Sequence, residues 1–260
     1  MLTIRFTPLA HAFCQPTSAI LIVHTGSASR DRPVILVLWL LCSSPMHALM
    51  QEYVAFSFEQ LGDSTLVNSL SDFLKHTDTV FDFAGFENVP LKAMQDIVDG
   101  VSFLHGKDIV HRDLKPGNIL VSNQHYNDLP ENVFREQWEA GTLKAITCKL
   151  TDFGESRSAL IQTNTIMSSK AINLNRGSPV YMCPEILLPE MRPKCASILD
   201  LKAADIWALG MVVFNLIDPS CKYPYQQEIE RDRSRCPLKT ARESLGDLMR
   251  NNVCPSAVAS

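Results

Sequence analysis

A chain of 260 residues with 46% apolar content can bury one sizeable core or two small ones. Its net charge of −4 and isoelectric point near 6.0 give no electrostatic reason to expect nucleic acid or an anionic membrane as a partner. The eight cysteines are scattered with no C-x-x-C pair, which argues against structural zinc and a disulfide framework and for a reducing, cytoplasmic compartment.

Residues 1–33 show no sustained periodicity and stay unassigned. The apolar runs Ala19–Val23 and Val34–Cys42 are far shorter than the ~18–20 residues that span a bilayer. Arg5 and Pro8 do not fall in a signal-peptide order. Val34–Leu41 is a continuous apolar run that reads as a buried strand. After Ser43-Ser44-Pro45, Ala48–Val54 reads as a second strand. Leu66–Lys75 reads as a short helix. Leu91, Met94, Ile97, Val98, Val101 and Leu104 recur at helical spacing, with Asn88 to cap the helix, Pro90 in its first turn and Gly106 at its end. Leu201–Ile217 is apolar on nearly every side, which predicts a buried helix stopped by Pro219. Beyond about residue 230 the chain turns charged and no element is assigned.

Between these helices lies the most informative stretch. Ile109-Val110 and Ile119-Leu120-Val121 flank His111-Arg112-Asp113-Leu114-Lys115-Pro116-Gly117-Asn118. Two apolar runs thus bracket a polar loop carrying a carboxylate, an ammonium and an amide. Thr151-Asp152-Phe153-Gly154 and Cys183-Pro184-Glu185 follow in order. In type, spacing and order these motifs resemble those of the eukaryotic protein kinase family. The resemblance covers about residues 34–230. It implies an α+β, protein-kinase-like fold with a mostly helical C-terminal lobe at 55–230 and a remnant of the β-rich N-terminal lobe at 34–54. The flanks 1–33 and 231–260 stay outside it. Asp113 and Asp152 lie 39 positions apart, about twice the family's usual interval, so roughly residues 123–146 are expected to be an inserted surface loop.

The resemblance also implies roles. Asp113 would take the proton of a substrate hydroxyl, and Lys115 would steady the transferred phosphoryl group. Asn118 and Asp152 would offer oxygens to Mg²⁺. Leu120 would floor the adenine of ATP, with Gln51 as gatekeeper and Glu52 to Val54 as hinge; an ordinary core strand is the alternative reading there. Ser178, in Gly177-Ser178-Pro179-Val180-Tyr181-Met182, would bridge Asp113 and Lys115 in the serine/threonine form of the substrate-docking loop. The Tyr-Met-x-Pro-Glu wording is similar to the tyrosine-kinase-like group of serine/threonine kinases. His111, Phe153, Gly154 and Asp205 are expected to support the loops by packing and hydrogen bonding, and Glu185 falls where the family pairs a glutamate with an arginine on a later helix, a helix that nothing after Ile217 clearly offers. Arg112 would answer an anion, with a regulatory kinase acting on the hydroxyl-rich stretch 156–169 as its source; such stretches are also common in plain exposed loops.

Other family parts are not found in these residues. No G-x-G-x-x-G occurs, the first lysine is Lys75, and the first glutamate is Glu52. Two expectations follow: a Ser/Thr kinase of protein substrates, represented by part of its domain, or a pseudokinase-like interaction module that keeps the large lobe.

Overall fold

The computed structural model describes residues 38–41, 48–51, 54–158, 178–191, 196–221, 223–236 and 240–253. Residues 1–33, Glu52 of the expected hinge, Gly177 and most of the hydroxyl-rich stretch lie outside them. The chain divides into two compact units: Met1–Ser102 with Gly117–Gly154, and Phe103–Pro116 with Glu155–Ser260.

In the first unit, β1 (Leu38–Leu41) and β2 (Ala48–Gln51) pair antiparallel, Leu38 opposite Gln51. β3 (Phe56–Ser57) pairs with β4 (Leu66–Val67). The helix expected from Leu66 therefore starts later. Val67 is β-branched and lies opposite Phe56 in the ladder, while Ser69 adopts an extended backbone and its Oγ accepts the amide of Asp72 at 3.1 Å. That cap starts α1 at Leu70 and carries it to His76. Phe56, Phe58, Phe73 and Phe86 are all buried, with Phe56 and Phe58 centred 4.7 Å apart and Phe73 and Phe86 5.7 Å apart. Each such ring contributes roughly 1.5–3 kcal/mol by leaving water.

α2 (Val89–Gly106) ends at the glycine expected. Ala93, Ile97, Val101 and Leu104 form its buried stripe. Gly100 lets it approach the strand β7 (Thr147–Leu150): a Cβ there would lie 3.0 Å from Leu150 Cδ1. β6 (Ile119–Ser122) pairs antiparallel with β7, Ile119 opposite Leu150.

The segment expected as an inserted surface loop is instead packed. It contains α3 (Glu131–Glu139), which buries Phe134, and Tyr126 is buried before it. Trp138 meets Phe86 edge-on at 5.6 Å. Tyr126 donates its hydroxyl to Ala145 O at 2.8 Å, and Lys144 reaches Asp96 of α2 at 2.7 Å. Three aromatic side chains among polar ones are enough to anchor the segment, because rings bury large areas at little entropic cost.

In the second unit, β5 (Ile109–Val110) pairs antiparallel with β8 (Arg157–Ser158). α5 (Ile198–Ile217) begins with a capping box between Ser197 and Asp200. It is not buried all round: Leu201, Asp205, Ala208, Val212 and Leu216 face inward, whereas Leu199 and Ile217 are mostly exposed. The elements of its own unit cover one face. Beyond it the chain forms two helices where none was assigned, α6 (Gln226–Arg235) and α7 (Ala241–Val253). Their charged composition hides three apolar anchors. Ile229, Leu245 and Met249 pack with Met182, Leu187 and Leu188, the last two from α4 (Pro184–Leu187) and its end.

Candidate active site

The loop after β5 is held from below by one carboxylate. Arg112 adopts a left-handed backbone, φ 71°, which costs a non-glycine residue about 1–3 kcal/mol unless its surroundings enforce it. Asp205 of α5 enforces it, accepting the amides of His111 at 2.7 Å and Arg112 at 2.8 Å. Asp205 is 2% exposed, and burying a carboxylate is costly unless its oxygens find such donors. A third donor comes from His105, in the last turn of α2, whose Nε2 lies 3.0 Å from the same carboxylate. Sequence reasoning missed His105; its place at the end of an amphipathic helix, six residues before His111, was the only signal. His111 is fully buried, and its Nδ1 accepts the amide of Asp113 at 3.3 Å. Ser156 donates its hydroxyl to the carbonyl of His111 at 3.4 Å. Arg112 donates from Nη1 to the carbonyl of Glu155 at 3.5 Å.

Above this base sit Asp113, Lys115 and Ser178. Lys115 Nζ lies 2.7 Å from Asp113 Oδ2 and 3.1 Å from Ser178 Oγ. The Ser178 amide donates to the other carboxylate oxygen of Asp113 at 3.1 Å. Ser178 therefore meets Asp113 through its backbone and Lys115 through its hydroxyl, a division of labour that residue types alone do not disclose. Burial pushes the flanking Tyr181 phenol up to about 12 and the Cys183 thiol up to about 11. Neither competes as a base near neutral pH.

In the first unit the β6–β7 ladder positions two further oxygens. Its register sets Asn118 against Thr151, whose amide donates to the Asn118 carbonyl at 3.0 Å. Asp152 follows directly, at φ 60°, and is exposed. Its Oδ1 lies 3.4 Å from the amide of Gly154. Phe153 is half-buried. Asn118 is buried and Leu120, half-buried, bridges to Ser69. Val54 is buried, and its carbonyl accepts Asn68 Nδ2 at 2.7 Å. Glu185, in the first turn of α4, is exposed.

Asn118 and Asp152 each carry a side-chain oxygen of the kind that suits a hard cation such as Mg²⁺, which takes few protein ligands and completes its shell with phosphate and water. Among the described residues no three His, Cys, Asp or Glu side chains converge as an all-protein metal site. No helix among them is long and apolar enough to cross a membrane.

The model of the protein kinase domain matches residues 48–251, the span that carries this Asp–Lys–Ser group. The chain belongs to the protein kinase family. It is similar to serine/threonine-protein kinase TOS3 of Saccharomyces cerevisiae, 30% identical over 129 residues, covering 48% of this chain and 18% of that protein. Serine/threonine-protein kinase/endoribonuclease IRE1a of Arabidopsis thaliana is 29% identical over 204 residues, 74% of this chain and 20% of that one. Human serine/threonine-protein kinase ULK1 is 32% identical over 139 residues, 54% of this chain and 10% of that one. The chain thus spans about a fifth or less of the length of these relatives.

Proposed function

We propose that this chain carries the catalytic lobe of a serine/threonine protein kinase, which transfers the γ-phosphoryl group of Mg·ATP to hydroxyls of protein substrates. The observation that carries the reading is the placement of Lys115 Nζ between Asp113 and Ser178. A carboxylate held by an ammonium and an amide is oriented to receive the hydroxyl proton, and the ammonium is at hand for the negative charge of the transferring group. ATP supplies the phosphoryl group and Mg²⁺ its neutralising charge, with Asn118 and Asp152 as the ligands this chain offers. Leu120 is the adenine floor in this reading, and Glu52 and Val54 are its hinge residues. Asp205, His111 and His105 position the loop. Phe153 and Gly154 shape the metal-binding turn. A regulatory kinase acting within 156–169 is part of the same reading, with Arg112 as the group that answers the added charge, and so is a cytoplasmic location.

The test is transfer of labelled phosphate from ATP to serine, threonine and tyrosine peptides by the protein as its source makes it. Serine or threonine labelling that requires Mg²⁺ and disappears in Asp113→Asn supports the reading. An intact Asp113 with no ATP binding and no transfer would overturn it in favour of an interaction module.

A further inference from the structure

Two amide side chains of the first unit tie the segment 123–146 to the strand that follows the expected hinge. Asn123, directly after β6, is 1% exposed. Its Oδ1 accepts the amide of Ser57 at 2.9 Å, and its Nδ2 donates to the carbonyl of the same residue at 2.7 Å. One side chain thus serves both backbone groups of one residue, as a neighbouring strand would. β3 has only two residues, and β4 pairs with it along one edge; Asn123 closes the other. Nearby, Gln60 Nε2 reaches the carbonyls of Tyr126, Asn127 and Leu129 at 3.1, 2.9 and 3.3 Å. These carbonyls belong to the turn that leads into α3, and the buried ring of Tyr126 anchors it.

Further contacts close a ring around the residues expected to meet the adenine. The carbonyl of Val54 accepts Asn68 Nδ2 at 2.7 Å, and the carbonyl of Asn68 accepts the amide of Val121 at 2.9 Å. Ser69 bridges to Leu120. The path runs from Val54 through Asn68 to Val121, along the chain to Asn123, and back through Ser57 to Val54. Each step is a hydrogen bond or at most three residues of chain. Val54 and Leu120 are therefore tied to each other through side chains on both sides of β3.

We propose that Asn123 is a positioning residue for the nucleotide, and that the 123–146 segment sets the affinity for ATP through it. The inference rests on the kinase reading, in which Val54 and Leu120 meet the adenine. An adenine held between hinge and floor needs the two at one fixed separation. A free protein that keeps this arrangement for only part of the time binds more weakly by that fraction. Removing the Asn123 amide takes the partner from a backbone N–H and a C=O of Ser57 and releases β3 along that edge. The expected result is an affinity for ATP about 5–10-fold weaker, as for a competent state populated about 10–20% of the time. Proton transfer and charge stabilisation are assigned to Asp113, Lys115 and Ser178, none of which belongs to the ring, so the loss falls on binding.

The experiment titrates the protein, as its source makes it, with fluorescent N-methylanthraniloyl-ATP, and measures kcat with KM for ATP and for peptide in parallel. Asn123→Ala should raise the Kd for the nucleotide and the KM for ATP together by about 5–10-fold, with kcat at saturating ATP and KM for peptide within about twofold of native. A merely structural defect lowers the amount of active protein instead: kcat falls while Kd and KM for ATP stay where they were, and that pattern overturns the inference. Should Asn123→Ala fail to fold, Asn68→Ala, at an exposed residue, releases Val54 and should weaken nucleotide binding in the same sense. Nucleotide affinity that neither variant changes also overturns the inference and leaves the kinase reading intact. No nucleotide binding by the native protein overturns the kinase reading and this inference with it.

Discussion

The carboxylate of Asp205 and the backbone of Arg112 form the joint on which the site is built: a buried side chain on α5 holds, at 2.8 Å, the amide of a residue twisted to φ 71°. The same carboxylate takes His111 and His105. Replacing it with Asn keeps the shape but turns one acceptor into a donor facing N–H groups. Asp205→Asn should lose roughly 2–4 kcal/mol in urea unfolding, because charge-assisted bonds are broken and buried donors are left unpaired. An unchanged unfolding midpoint would show that the loop holds its own conformation.

Lys115 and Ser178 should separate in their effects. Ser178→Ala removes the hydroxyl that Lys115 touches but leaves the backbone amide that Asp113 accepts. A modest fall in turnover, about 3–10-fold, is expected from one lost hydrogen bond to a charged group. Asp113→Asn removes the proton acceptor itself and should cost about 10²–10⁴ in kcat. Equal losses in the two variants would contradict the assigned roles.

The segment carrying α3 should behave as part of a core. Phe134 is 4% exposed and contacts Tyr126 and Trp138, with ring centres 5.5 and 5.4 Å away. Phe134→Ala should destabilise the protein by about 3–4 kcal/mol, the usual result of emptying an aromatic site. Limited proteolysis offers the complementary check: cleavage within 131–139 should be slow in the native protein and fast in this variant.

Thiol chemistry should follow burial. Cys148 is buried, and desolvation together with the nearby Asp96 carboxylate pushes its thiol well up, while Cys183 sits near 11. Cys236 is exposed. Alkylation at neutral pH, read peptide by peptide in a mass spectrometer, should mark Cys236 before Cys148 and Cys183 and leave those two unmodified until unfolding. Early labelling of Cys148 would place it outside the core.

Acid should weaken the molecule through its capping and turn carboxylates. Asp200 is held low by Ser197, and Asp63 by the Thr65 hydroxyl and amide. A carboxyl depressed on folding contributes stability that is complete above its unfolded value of 3.8 and fades as pH falls through the lower folded value. Stability of the native protein should therefore decline below about pH 4, and Asp200→Asn should be less stable at neutral pH with a flatter decline in acid. Equal acid slopes in native and variant protein would remove Asp200 from this account.

The family was legible in the residues alone. Local spacing places Asp113, Lys115 and Asn118 on one loop and Asp152 past the two strands that follow it, and the protein kinase domain matches over that span. The stop of α2 at Gly106 was equally plain, whereas its apolar period was right only in part: Ile97, Val101 and Leu104 are buried and Ala93 joins them, but Leu91 and Val98 are exposed. Other features depended on contacts between distant residues, and only the tertiary structure decided them. Composition called 123–146 polar, yet three rings spaced along it find Phe86 and Ala145 and fold it. The charged stretch after residue 230 became α6 and α7 because Ile229, Leu245 and Met249 meet Met182 and Leu188. His105 looks like any helix-end histidine until α5 brings Asp205 to it. Local pattern sets which face an element can bury; which partner takes that face is set by the whole packed chain, where burial of a few large side chains outweighs the preference of the many polar ones around them.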